Sequence, residues 1–237
     1  MGNRRWLRRS TPRHDSPIDQ SSILAWKKQR CECITNAAPN QFSMSYFDSY
    51  RTTLNDILAR TSATNRDGTE IGAAEGFKLW LDLTRTSNDA GHVHYFVGNG
   101  ASATMASHMS LDCCKNGGIR AMAFNDIASL TALGNDLGYD QTFAAPIGWH
   151  GQSGDLLIAI SSSGGSPNII AAIEAARKKD MKVVTLTGIK ESNPARKLGD
   201  VNFYIPGQTY GAVECLHQIL LHCWLDDYMD LAEWNEQ

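Results

Sequence analysis

Five short runs of apolar, β-favouring residues restrict the fold of this chain more than any other feature: VHYFVG at 93–98, IRAMAF at 119–124, DLLIAIS at 155–161, MKVVTLTG at 181–188 and DVNFYIP at 200–206. Most are nearly continuous in apolar residues rather than alternating, the pattern of strands buried on both faces. The segments between them, 101–116, 126–137 and 166–179, carry helical composition. Strand and helix therefore alternate, and a parallel sheet covered by helices on both faces follows. Ahead of the first run, Tyr46, Phe47, Tyr50, Leu54, Ile57 and Leu58 fall at helical spacing, and Ile71, Ala74, Phe77, Trp80 and Leu81 mark a second helix over about 68–86. The expected architecture is α/β: two helices before any strand, a three-layer α/β/α arrangement around a five-stranded parallel sheet, and a long closing helix over about 210–233.

Composition narrows the function. A chain of 237 residues with 42% hydrophobic and 20% charged residues and a formal net charge of −3 suits one globular core. No run approaches the roughly 18 apolar residues of a membrane span, and the N-terminus lacks a secretory apolar core. A cytoplasmic protein without a membrane partner is expected. Six cysteines (Cys31, Cys33, Cys113, Cys114, Cys215, Cys223) are too sparse for a disulfide scaffold and lack paired CxxC spacing. They are expected as reduced thiols, the last four packed in helices. The near-neutral balance argues against nucleic-acid binding by the whole chain, which needs a concentrated basic field. Residues 1–31 carry eight Lys or Arg against Asp15 and Asp19, with no apolar periodicity. Residues 1–43 are accordingly expected to be a disordered basic extension, and 44–237 the folded domain.

In open parallel sheets ligands bind beyond the carboxyl ends of the strands. Two such loops stand out: Gly98-Asn99-Gly100-Ala101-Ser102 after the first strand, and Ser161-Ser162-Ser163-Gly164-Gly165-Ser166-Pro167-Asn168 after the third. Each runs into a helix. Glycines let the backbone approach an anion, helix N-terminal amides favour negative charge, and serine hydroxyls add donors. Neither GxxxxGK[ST] nor GxGxxG is present, which disfavours a nucleoside triphosphate or dinucleotide and leaves a sugar phosphate. A plain turn with Ser166 as N-cap and Pro167 at the first helical position is the ordinary alternative for the second loop.

FVGNGASATMASHMSLD, ALGNDLGYD, GDLLIAISSSGGSPNIIAAIEAARKKDMKVVTLTG and YGAVECLHQILLH together resemble the sugar isomerase (SIS) domain family, most closely its phosphoheptose isomerase branch, over roughly residues 44–235. The resemblance implies a flavodoxin-like fold and a homotetramer with sites at subunit interfaces. It implies isomerisation of sedoheptulose 7-phosphate to D-glycero-D-manno-heptose 7-phosphate for activated-heptose and surface-polysaccharide synthesis, with zinc in the site. Asn99, Gly100, Ser102, Ser161, Ser162, Ser163 and Ser166 fall on the family's substrate- and phosphate-binding loops, and Asp136 on a further substrate position. The family's base is a glutamate four residues after a histidine; here Asp112 follows His108, and the shorter side chain withdraws the carboxylate by roughly 1.5 Å. The family's acid is a histidine eight residues after a glutamine; here His222 follows Glu214. The resemblance thus implies Asp112 as base, His222 as acid, Glu214 as a substrate contact, and His108, Asp112, Glu214 and His222 as metal ligands. An aspartate that precedes the glutamine in the family has no counterpart near Gly211.

Chemistry alone leads the same way. Aldose–ketose isomerisation moves a proton between adjacent carbons through an enediol and needs a carboxylate-type base plus a donor or Lewis acid at the oxygens. His108 and Asp112, four residues apart, share one helix face; Glu214 and His217, three apart, share another. For His217 a satisfied helix histidine is the expected reading, with a ligand role as the alternative. Glu214 and His222 lie about 12 Å apart along a straight helix, so if the four-ligand set is kept one ligand comes from a neighbouring subunit. Nitrogen and oxygen donors suit zinc, with iron and manganese still open. Two other functions stay open: a non-catalytic sugar-phosphate-binding or regulatory protein, and an isomerase of another phosphosugar. A regulator usually carries an extra domain, for which residues 1–43 are too short.

Overall fold

The computed structural model describes residues 44–234. The basic extension, with Cys31 and Cys33, lies outside the described residues. From Tyr46 onward the chain forms one compact unit. Its elements are α1 (Tyr46–Ala59), β1 (Ser62–Asn65), α2 (Gly72–Asp89), β2 (His94–Gly98), α3 (Ala101–Lys115), β3 (Ala121–Ala123), α4 (Ile127–Asp136), α5 (Ala144–His150), β4 (Leu156–Ser161), α6 (Pro167–Lys178), β5 (Lys182–Gly188), β6 (Val201–Ile205) and α7 (Tyr210–Tyr228), with single 3-10 turns at Tyr139–Gln141 and Pro194–Lys197.

The sheet runs β1-β6-β5-β4-β2-β3. The five expected strands are parallel to one another. The sheet, however, has six strands: β1 adds an antiparallel edge to β6, pairing Ser62 with Tyr204 and Asn65 with Val201. It also falls between the first two helices, so the expectation of two helices before any strand is corrected. Its four residues, SATN, have no apolar run to reveal them. Tertiary pairing defines this strand, and the Asn202 amide reinforces it by donating to the carbonyls of Thr64 (3.5 Å) and Asn65 (3.4 Å). The short α5 also escaped the periodicity, and α7 ends at Tyr228, five residues earlier than expected.

Every residue of β2, β4 and β6 is buried, as the continuous apolar runs required. One face of the sheet packs against α1, α2, α3 and α7, through Trp80, Met105, Met109, Leu216 and Trp224 among others. The opposite face packs against α5 and α6, through Phe143, Ile147, Ile169 and Ile173. Trp80 and Trp224 stack with centroids 4.6 Å apart and planes 4° apart, and Trp224 Nε1 donates to Thr84 Oγ1 at 3.0 Å. This contact seats α7 two residues beyond His222. Of the four helix cysteines only Cys113 is buried, and burial pushes its thiol far above the ordinary range; Cys114, Cys215 and Cys223 are exposed, which corrects the expectation that all four pack inside.

Two buried histidines connect the core to pH. His94 lies fully buried at the start of β2, beside His92, and His217 is fully buried on α7. Desolvation lowers both to about 4; for His94 the neighbouring His92 adds to this, and for His217 the Thr187 carbonyl partly opposes it. The unfolded chain, with histidines near 6.5, therefore takes up protons that the native state refuses as pH falls. Stability is complete above about pH 6.5 and declines toward pH 4, on the order of 3 kcal/mol for each ring. Urea unfolding at pH 7, 5.5 and 4.5 should show this decline, and His94→Phe should flatten it.

Candidate functional site

The two glycine- and serine-containing loops meet at the carboxyl edge of the sheet. Strands β2 and β4 are paired in register with Gly98 opposite Ile160, so the loops that follow them emerge side by side. A head-to-tail amide pair ties them: Asn99 Nδ2 donates to Asn168 Oδ1 and Asn168 Nδ2 to Asn99 Oδ1, both at 2.8 Å. Asn168 also donates to Thr142 Oγ1 at 3.4 Å, and the Tyr139 hydroxyl donates to Asn99 Oδ1 at 3.2 Å. Asn168 and Tyr139 lie in motifs legible in the sequence, yet their pairing role becomes visible only in the fold. Gly100, at φ +57°, turns the chain into α3.

Between the loops lies a cavity of about 120 Å³ lined by Asn99, Ser102, Ser161, Ser162, Ser163, Ser166, Tyr210 and Glu214. At roughly 30 Å³ per water molecule this is the scale of an oxyanion rather than of a nucleoside. The serines are unevenly committed. Ser161 Oγ accepts from Gly164 N at 3.2 Å, whereas Ser162 Oγ is buried with no partner among the described residues. Ser166 occupies the N-cap of α6, but its hydroxyl makes no capping bond. A plain turn does not account for the Ser162 hydroxyl, because a buried donor costs free energy unless something pairs with it. Gly164, at φ +61°, packs against the Asn193 side chain with no room for a Cβ.

A second group sits further along α3 and α7. His108, Asp112 and His222 each place one ligand atom within 4.8 Å of the others. His108 Nε2 lies 3.3 Å from Asp112 Oδ2, and the His108 and His222 rings meet edge-on with centroids 5.3 Å apart. The packing of α3 on α7 brings them together: Met105, Met109 and Cys113 on one helix and Leu216, Leu220 and Leu221 on the other share the same core, and Gln218 Nε2 donates to Met109 Sδ at 3.5 Å. Asp112 and His222 also line an open cavity of about 780 Å³ with Asn116, Asp226 and Tyr228.

Two imidazoles and a carboxylate are a donor set that fits zinc in a site with an open position. Glu214 does not join them. It lies eight residues before His222, about 12 Å along the axis, and lines the serine cradle instead. Asp136 is exposed at the end of α4, accepts from its neighbour Asn135 at 2.8 Å and does not line the cradle. His217 turns inward, its Nε2 donating to the Thr187 carbonyl at 3.2 Å, which makes it a core histidine bonded to β5.

The profile of the SIS domain family matches residues 45–188. A phosphoheptose isomerase from Thiobacillus denitrificans is 36% identical over 137 residues, 54% of this chain and 70% of that protein. A phosphoheptose isomerase from Francisella tularensis superimposes with a TM-score of 0.67 at 25% identity, covering 78% of this chain and 95% of its own. One from Neisseria gonorrhoeae superimposes with a TM-score of 0.62 at 26% identity, over 88% and 98%. This chain belongs to the SIS domain family, in its phosphoheptose isomerase branch.

Proposed function

We propose that this enzyme isomerises sedoheptulose 7-phosphate to D-glycero-D-manno-heptose 7-phosphate through an enediol, supplying activated heptose for surface polysaccharide. The observation that carries the reading is that the same two helices hold both halves of the task. Ser102 on α3 and Glu214 on α7 line the anion cradle, while His108 and Asp112 on α3 and His222 on α7 form the proton-transfer cluster.

The cradle serines, the loop amides and the N-terminus of α6 hold the phosphate. Asp112 takes the proton from C1 of the ketose. His222 moves a proton between O1 and O2, and the proton held by Asp112 returns to C2, so that the aldehyde forms with no net gain or loss of atoms. His108, 3.3 Å from the Asp112 carboxylate, fixes its orientation. His108, Asp112 and His222 are the residues that would hold zinc or another divalent ion, and a bound ion supplies polarisation of the substrate oxygens.

Glu214 can complete a four-ligand set only from a second copy, because its own α7 holds it about 12 Å from His222. Leu111, Met122 and Ile219 are exposed beside or near these helices, which supports a homo-oligomer, with the tetramer of the family as the expected form. The free thiols Cys113, Cys114, Cys215 and Cys223 accord with a reducing cytoplasm.

Proton NMR of the protein with sedoheptulose 7-phosphate in heavy water, with added zinc and after chelation, tests the reaction. A new anomeric signal from heptose 7-phosphate is expected, and its zinc dependence reports the role of the metal. Asp112→Asn and His222→Gln should each lower kcat by roughly 100-fold or more while sugar-phosphate binding persists. Near-normal rates in both variants would refute the site. Binding without turnover in the parent protein would indicate a sugar-phosphate sensor instead.

The cradle makes a separate prediction with an unusual sign. Ser162→Ala removes a buried hydroxyl that has no partner, so stability should stay level or rise slightly while phosphosugar affinity falls about tenfold. Gly164→Ala should lose both, by about 1–3 kcal/mol of stability, since the new methyl meets Asn193 at a left-handed position. Thermal unfolding with and without the phosphosugar separates the two cases.

A further inference from the structure

Among the described residues, no positive side chain lines the cradle. Apart from Ile160 its lining is hydroxyl, amide and phenol, with one carboxyl group, that of Glu214. A phosphate dianion placed there faces a carboxyl group, and the serines, loop amides and helix N-terminus that receive it bring only partial positive charge against that repulsion. The compensating group is found in the adjoining space. A cavity of about 550 Å³ shares Ser163, Ser166 and Tyr210 with the cradle and continues over Ile189, Lys190 and Asn193. Lys190 is the only cation lining either cavity among the described residues, and its ammonium makes no ion pair there.

The backbone that carries Lys190 is fastened to the cradle loop. Lys190 N donates to the Gly188 carbonyl at 2.7 Å, and Gly188 N donates to the Ser162 carbonyl at 3.1 Å. Asn193 Nδ2 donates to the Lys190 carbonyl at 2.7 Å, while Ala195 N donates to the Gly164 carbonyl at 3.0 Å. Ile189, a β-branched residue at φ +58°, is held in a conformation that such residues rarely adopt, directly before Lys190. The lysine stem therefore starts from a fixed point beside the serines, while the four-carbon chain retains its reach. The unpartnered Ser162 hydroxyl, more than nine-tenths buried and lining the cradle, independently marks that space as one that receives an acceptor.

We propose that Lys190, from the loop after β5, is a phosphate-binding residue that closes over the serine cradle and supplies the positive charge that the cradle lacks. This rests on the phosphosugar reading of the cradle. It makes the 189–195 loop a determinant of phosphorylated over unphosphorylated sugar, because the ammonium interacts with the phosphate and not with the carbons that react.

The test compares the full-length parent with Lys190→Gln, Lys190→Arg and, as a control on the exposed start of β5, Lys182→Gln. Each is titrated with inorganic phosphate and with sedoheptulose 7-phosphate by thermal shift, and assayed for isomerisation. Lys190→Gln should weaken both ligands by about 10- to 100-fold and raise KM by a similar factor with kcat within about twofold. Lys190→Arg should recover most of the loss, and Lys182→Gln should match the parent. Affinities and KM of Lys190→Gln within twofold of the parent would overturn the proposal. A parent that binds both ligands in a Lys190-dependent way but turns nothing over would leave Lys190 in place and remove the isomerase reading. A parent that responds to neither ligand would remove the cradle and this proposal together.

Discussion

A parallel sheet buried on both faces sets the terms for everything else in this molecule. With β2, β4 and β6 enclosed, neither face of the sheet is open to a ligand, and polar chemistry is confined to strand ends and to the helices that leave them. The carboxyl edge is where backbone amides at helix starts remain free to bind an anion. The neighbouring register of β2 and β4 places the Asn99 and Ser161–Ser166 loops together at that edge, and the Asn99–Asn168 amide pair locks them. The cradle is thus a consequence of strand pairing, and its serines need little further positioning.

The group of His108, Asp112 and His222 has a different origin. It depends on how α3 and α7 lie against each other over one face of the sheet. Met109 and Leu220 share a core, Trp224 stacks on Trp80, and this packing delivers His222 to the exposed side of His108 and Asp112. Apolar contacts therefore set the geometry of the polar group. Glu214, one end of the same helix, is carried instead to the cradle, so the axial rise of α7 separates two residues that one ion would have to share. That separation keeps Glu214 out of the group formed by His108, Asp112 and His222.

Much of this was legible in the chain. Continuous apolar runs located five strands to within a residue or two, and the two loop motifs supplied Asn99 and the serines that line the cradle. The first strand was not legible, because SATN is polar and acquires its conformation from pairing with β6 and from the Asn202 amide. The family resemblance implies a substrate contact for Asp136, yet within one chain it is exposed at the end of α4. The cysteines show the same limit: four thiols at similar helical spacing divide into one buried and three exposed, because burial depends on which side of α3 and α7 meets the sheet.

The sequence by itself determined the alternation of strand and helix, the two glycine- and serine-containing loops that precede helices, and the pairing of His108 with Asp112, since each follows from periodicity, composition or spacing along a single helix. Tertiary structure decided what distant segments do to one another: that His222 joins His108 and Asp112 while Glu214 does not, that Asn168 braces Asn99, that His217 bonds to β5, and that Lys190 borders the cradle. The physical reason is that local pattern specifies which face of an element is apolar. Which polar groups then converge is fixed only when those faces are buried against one another.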